Sequence, residues 1–184
     1  MTTQTDEIAG KYEKGLVIVL TGNGKGKTTA ALGQALRAIG HGLRVCMIQF
    51  MKGRKYGEVM AAEKYLPGFA AHLFGLDSFV MRDNPAPVDI ELARRGLAFA
   101  KEVIASGEYD MVILDEINVA CDFELVDPKD VADMIRGKPP ALHLILTGRY
   151  APEEICALAD TVSEVGEVKH HYAAGIKDRA GIEY

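Results

Sequence analysis

Residues Leu16–Leu36 read LVIVLTGNGKGKTTAALGQAL. An apolar, β-branched run enters a loop of alternating glycines and lysines, then leaves into an alanine-rich segment of helical spacing. Gly22, Gly24 and Gly26 allow the backbone to turn its N–H groups inward and approach a polyphosphate closely. The glycines alternate as GNGKG, with Lys25 as an extra lysine between them. The start of the following helix adds partial positive charge, Lys27 a full charge and Thr28 a hydroxyl for a metal ion. Strand, loop, Gly-Lys-Thr and helix in this order predict nucleotide binding. One position departs from G-x-x-x-x-G-K-[ST]: the first glycine falls on residue 21, which is Thr21. The altered loop leaves open which phosphate lies deepest.

Working outward, short apolar runs alternate with longer helix-compatible stretches, as in a parallel sheet covered by helices. The runs are Leu16–Thr21, Leu43–Phe50, Tyr109–Leu114, Leu142–Thr147 and Val162–Val168, with Phe69–Phe74 as a further candidate. Between them, Lys27–Ile39, Gly57–Leu66, Val88–Ser106, Pro128–Arg136 and Pro152–Ala159 are predicted helices, two of them opened by proline. The fold class is α/β. Residues 1–15 read as a polar arm, 16–184 as one domain, and Leu76–Pro87 as a loop.

The 184 residues carry 21 Lys+Arg against 26 Asp+Glu, a net charge of −5. Such a chain offers no broad positive field to nucleic acid, so any phosphate affinity must be local. At this length folding removes roughly 70% of the extended chain's surface from water, enough for a core without disulfides. Cys46, Cys121 and Cys156 have neither redox nor zinc spacing and read as reduced thiols. No apolar run reaches a membrane span of ~20 residues, and the polar start lacks a secretory pattern. The expected location is the cytoplasm.

Ligands of open α/β sheets gather beyond the carboxyl ends of the strands. There Met111–Glu116, MVILDE, ends in two carboxylates, like a Walker B strand. Asp115 is placed to hold Mg²⁺ beside Thr28, and Glu116 to orient water or substrate. No N-K-x-D or T-K-x-D segment is present to read guanine. Arg54, Arg82 and Arg149 are scattered, so the arginine cluster of a small-molecule kinase is not legible. The five histidines lack metal-ligand spacing and are expected to be structural.

The chain resembles the ATP-dependent corrinoid adenosyltransferases that act on cob(I)alamin or cob(I)yrinic acid diamide. The likeness rests on TGNGKGKTTAALG at Thr21–Gly33, RAIGHG at Arg37–Gly42, QFMKG at Gln49–Gly53 and VILDE at Val112–Glu116. It continues through LTGR, ADTVSEV, VKH and the closing AGIKDRAGIEY. The resemblance implies a P-loop NTPase-like, RecA-like domain, its mostly parallel sheet flanked by helices on both faces. It implies transfer of the 5′-deoxyadenosyl group of ATP to Co(I), with tripolyphosphate leaving and the γ-phosphate deep in the loop.

Carried onto this sequence, it implies that Gly22–Thr29 cradle the triphosphate, with Lys27 and Glu116 as the catalytic pair. Thr28 with Asp115 or Glu116 would hold Mg²⁺ or Mn²⁺. Arg37 and Arg149 become phosphate-side candidates, and Gln49, Phe50 and Lys52 candidates for the adenosine side. A homodimer and a flavoprotein reductant are implied as partners. Family members often carry a Phe-x-Trp wedge for the corrin where this chain has LDSFVMRDN and no tryptophan, leaving Phe79 either as an apolar wedge or as packing for its own loop. The competing readings are a phosphoryl-transferring ATPase or kinase, distinguished by ADP as product, and an ATP-dependent corrinoid carrier.

Overall fold

The computed structural model describes residues 13–184. Most of the arm expected over residues 1–15 lies outside that range, but its end is tied down. Lys14 pairs with Asp160, and Gly15 donates its N–H to the Pro140 carbonyl at 2.6 Å. A Cβ on Gly15 would stand 2.2 Å from the Leu142 carbonyl oxygen, so only glycine fits there.

The elements are β1 (Val17–Thr21), α1 (Lys27–Gly40), β2 (Val45–Phe50), α2 (Gly57–Tyr65), β3 (Phe69–Phe74), α3 (Pro87–Ser106), β4 (Met111–Asp115), α4 (Ile117–Asp122), α5 (Pro128–Gly137), β5 (His143–Thr147), α6 (Glu153–Leu158) and β6 (Thr161–Glu164). A short 3-10 turn follows at His171–Ala174. The strands form one sheet in the order β3-β2-β4-β5-β1-β6, and every pairing is parallel. The expected strand Phe69–Phe74 is present as an edge. The run expected as Val162–Val168 leaves the sheet after Glu164, because Val165 and Gly166 turn across the glycine loop.

Alternation along the central strands assigns each side chain to a face. On one face Val45, Met47, Met111, Ile113 and Ile145 pack against Ala31, Ala35 and Ala38 of α1. Spaced at four and three residues, these alanines form one helix stripe and let α1 lie close to the sheet. On the other face Cys46, Ile48, Phe50, Val112, Leu114, Leu144 and Leu146 meet the apolar stripes of α3, α4 and α5, with Ile155 of α6. Each fully buried aliphatic side chain contributes roughly 1.5–3 kcal/mol. The covered central strands account for the near-continuous apolar runs in the sequence.

Local signals set the helix ends. Pro87 and Pro128 open α3 and α5, and the Asp127 carboxylate accepts the Lys129 N–H at 2.9 Å. Gly107 ends α3 in the left-handed region, where a side chain would be strained. Helix α4 was not expected: its six residues follow β4 directly and are too short to show a helical period.

Candidate functional site

On the α1 face, the strands change chemistry at their carboxyl ends. Continuing the alternation Val45-Met47, Met111-Ile113 and Ile145, the next residues on that face are Gln49, Asp115 and Thr147, all fully buried. Gln49 and Asp115 stand in register between β2 and β4. The first turn of α1 brings Thr28 to the same place. Thr28 and Thr147 donate to Asp115 Oδ1 at 2.9 and 2.8 Å, and Gln49 and Lys52 donate to Oδ2 at 3.0 and 2.8 Å. Burial alone would raise the pKa of Asp115; the Lys52 charge and these donors overcome it and hold the carboxyl below its ordinary range. Burial likewise opposes the charge on Lys52, and Asp115 with Glu58 outweighs it, so the ammonium is held above its ordinary value.

The glycine loop lies beside this network. Gly22 and Gly26 adopt φ of 96° and 126°. A Cβ on Gly24 would fall 2.5 Å from the Gly166 carbonyl oxygen, and the Gly24 N–H donates to Val165 at 2.7 Å. The Lys27 ammonium is drawn into the loop, donating to the Gly22 and Gly24 carbonyls at 2.8 Å each. Burial first, and Arg149 second, lower its pKa against the pull of Glu116 and Asp115. Thr21, in place of the usual first glycine, accepts the Ala151 N–H through its hydroxyl at 3.2 Å.

A cleft of about 930 Å³ opens over the loop. Four non-glycine residues have positive φ among those described, and Met51, Glu116 and Tyr150, which line the cleft, are three of them. Each follows the end of a central strand and turns the chain sharply at the site, a strain typical of functional positions. Glu116 is held there by its N–H to Thr147 Oγ1 at 3.0 Å. Burial and then the Asp115 charge raise the Glu116 pKa, with Lys52, Lys27 and Arg149 acting against them.

Most of the expected residues converge. Gly24, Lys25, Gly26, Lys27, Thr28, Thr29, Lys52, Phe79, Glu116 and Arg149 line the cleft. Two do not join it. Phe50 is fully buried in the core against α3, where its ring would meet a Cβ on Gly96 at 3.0 Å; strand alternation puts it on the face opposite Gln49. Arg37 lies in the last turn of α1, ten residues and about 15 Å along the axis from Lys27, and is exposed. Gln49 and Asp115 act from beneath as the support of Lys52 and Thr28, and Asn23 is exposed on the loop without lining the cleft.

Sequence reasoning missed the upper walls. Tyr56 and Glu58 come from the start of α2, Tyr150 from beyond β5, and Gly181–Tyr184 from the closing segment. They lie far apart in the chain and share no spacing, although the AGIKDRAGIEY resemblance marked the last group. Phe79 is 98% exposed at the mouth, so it does not pack its own loop.

Among the described residues no three His, Cys, Asp or Glu side chains cluster as a metal site. Mg²⁺ beside a triphosphate needs fewer protein ligands, one or two oxygens being sufficient. Thr28 and Glu116 suit that role: the Thr28 hydroxyl is oriented by the hydrogen bond it donates to Asp115, and the half-buried Glu116 carboxylate lines the cleft. Asp115, the other carboxylate expected at the metal, has its oxygens engaged by four donors. No described helix is long and apolar enough to cross a membrane.

Residues 13–184 match the sequence model of the ATP:corrinoid adenosyltransferase BtuR/CobO/CobP family. A corrinoid adenosyltransferase of Sinorhizobium is 37% identical over 187 aligned residues, covering 100% of this chain and 84% of that protein. The proteins so named in Escherichia coli K12 and, as CobA, in Salmonella typhimurium LT2 are 39% and 38% identical, covering 94% of this chain and 87% of theirs. The match runs through the glycine loop, the β4 carboxylates and the closing segment alike, and the chain belongs to the ATP:corrinoid adenosyltransferase family.

Proposed function

We propose that this protein transfers the 5′-deoxyadenosyl group of ATP to the Co(I) centre of a corrinoid and releases tripolyphosphate. The observation that carries this reading is the cleft itself, in a chain of this family: a cationic phosphate loop forms its floor, and apolar and aromatic side chains form its mouth.

Co(I) is the nucleophile and carries its own electron pair. Attack on the ribose C5′ forms the Co–C bond while the C5′–O bond breaks, and that bond's electrons leave with tripolyphosphate. No proton is removed, so no general base is required. The protein's tasks are alignment and stabilisation of the leaving group. Lys27 and Arg149, with the start of α1, would present positive charge to the triphosphate in the cleft. Lys52 neutralises Asp115, so that the buried carboxylate does not repel the nucleotide. Thr28 and Glu116 would hold Mg²⁺ or Mn²⁺, which supplies further charge neutralisation of the phosphates.

The altered loop supports placing the γ-phosphate deep and C5′ toward the mouth: at position 21 a side chain anchored on Ala151 stands where the common loop has none. At the mouth, Phe79 with Val80 and Met81 would give the corrin an apolar wedge without tryptophan. The same reading takes a homodimer as the working assembly, a flavoprotein as the class of reductant that supplies Co(I), and the cytoplasm as the location.

The test is anaerobic incubation of the protein with Mg-ATP and chemically reduced cobalamin, followed by the corrinoid spectrum. Conversion to the adenosylated, light-sensitive Co–C product is expected. No conversion of either cobalamin or cobyrinic acid diamide would refute the assignment.

A further inference from the structure

The phosphate loop carries two lysines that point different ways. Lys27 turns inward, whereas Lys25 reaches over the cleft to the closing segment. Its ammonium donates to the Ile182 carbonyl at 2.6 Å and pairs with Glu183 Oε1 at 3.3 Å. Glu183 in turn accepts the Arg179 N–H through Oε2 at 3.0 Å and faces His171 at 3.4 Å. At the other side the Tyr184 ring lies 6.1 Å from that of Tyr56, and the Arg54 guanidinium covers both rings at 4.8 and 5.4 Å. The segment from Arg179 to Tyr184 is thereby tied to the phosphate loop at one point and to the approach of α2 at another.

Little else holds it. Ile182 is 61% exposed, so burial of its side chain adds little to fixing the segment. Yet Gly181, Ile182, Glu183 and Tyr184 all line the cleft. The few polar ties therefore decide where one wall of the site stands.

We propose that Lys25 is a positioning residue: it fixes residues 179–184 as a wall of the cleft and so shapes the surface that receives the corrinoid, instead of binding a phosphate. Its charge is paired with a carboxylate of the closing segment, whereas the Lys27 ammonium sits within the loop on two carbonyls and pairs there with no carboxylate among the described residues. This inference rests on the function proposed above, but the position of the wall can be read without turnover.

The experiment is a double-mutant cycle of Lys25→Ala and Glu183→Ala in the full chain, with Lys25→Arg as the conservative variant. Three quantities are measured: amide hydrogen exchange over residues 179–184, the dissociation constant of Mg-ATP, and KM for chemically reduced cobalamin. Each single variant should exchange faster in the segment and raise KM for the corrinoid by roughly fivefold, as expected for a partly exposed, charge-assisted tie. ATP affinity should stay within about twofold, and the double variant should be no worse than the worse single one. Lys25→Arg should restore the exchange pattern. Loss of ATP affinity by about tenfold or more on Lys25→Ala, equal with Glu183 present or absent, would make Lys25 a phosphate ligand and overturn the proposal. Unchanged exchange over 179–184 in Lys25→Ala would overturn it as well. If the wild-type protein fails to adenosylate cobalamin, the functional assignment fails, while the exchange data still decide whether Lys25 holds the segment.

Discussion

At the floor of the cleft Asp115 is wholly buried and accepts hydrogen bonds from Thr28, Gln49, Lys52 and Thr147, whereas at the mouth Phe79 is 98% exposed and its loop reaches α4 through the pair Arg82–Asp122 at 2.9 Å. The floor stands on β2, β4, β5 and α1, elements locked by two apolar clusters. The mouth is made of loops. The difference follows from what each part must do. Charge on a leaving triphosphate is stabilised best by dipoles and ions that need no rearrangement, and only packed elements hold them so. A bulky acceptor has to enter and leave, and a wall of loops permits this.

The sharpest way to break the floor is Lys52→Met. It leaves the Asp115 carboxylate buried without its counter-charge, and a loss of about 3–5 kcal/mol in unfolding free energy is expected from denaturant titration. The pair also fixes the pH response. Asp115, with its pKa below 3.8, adds stability that is present above that value and is lost as pH falls through the lower native one. Lys52, with its pKa above 10.5, adds stability that is present below that value and is lost as pH rises through the higher native one. A Lys52→Met protein as stable as the parent at pH 7 would contradict the ionic floor.

Next in size is Lys27→Ala, which should leave the fold intact while raising the activation barrier by about 2.7–4 kcal/mol, the cost of one preorganised donor. A near-normal rate would remove Lys27 from leaving-group stabilisation.

Glu116→Gln sharpens the contrast between support and ligand. With its native pKa raised above 4.5, Glu116 costs the native state stability as pH rises through that window and the side chain ionises. The glutamine variant should therefore be more stable at pH 7 without divalent metal, by about 1–3 kcal/mol. It should also lose the stabilisation that Mg-ATP gives the parent, and urea midpoints with and without Mg-ATP read both effects. Equal midpoints for variant and parent would mean that Glu116 is not strained by its charge.

The smallest effect on the fold belongs to the mouth. Phe79→Ala should shift stability by less than about 0.5 kcal/mol, since the ring is exposed. It should slow adenosylation more when cob(II)alamin is supplied under weak reduction than when cob(I)alamin is supplied preformed. Equal slowing in the two assays would disconnect Phe79 from the corrin's lower face.

The floor was legible in the sequence because its parts are contiguous: Thr21–Thr29 and Val112–Glu116 are unbroken runs with a chemical meaning. Strand alternation, carried one step further, separates Gln49 from Phe50 and so excludes Phe50 from the cleft. Helix arithmetic does the same for Arg37. Helix α4 and the early end of β6 were not legible, because six residues are too few to show a period and because contacts with the glycine loop determine where Val165 leaves the sheet. Tyr56, Tyr150 and Tyr184 meet only through the folded chain, and no local pattern announces such a wall.

The most direct measurement is the identity of the phosphate product, followed by phosphorus NMR during anaerobic turnover of Mg-ATP with cob(I)alamin. Tripolyphosphate, formed in equal amount with adenosylated corrinoid, is the expected result. ADP with inorganic phosphate, and a corrinoid left without its adenosyl group, would contradict a floor built to hold the triphosphate as one leaving group.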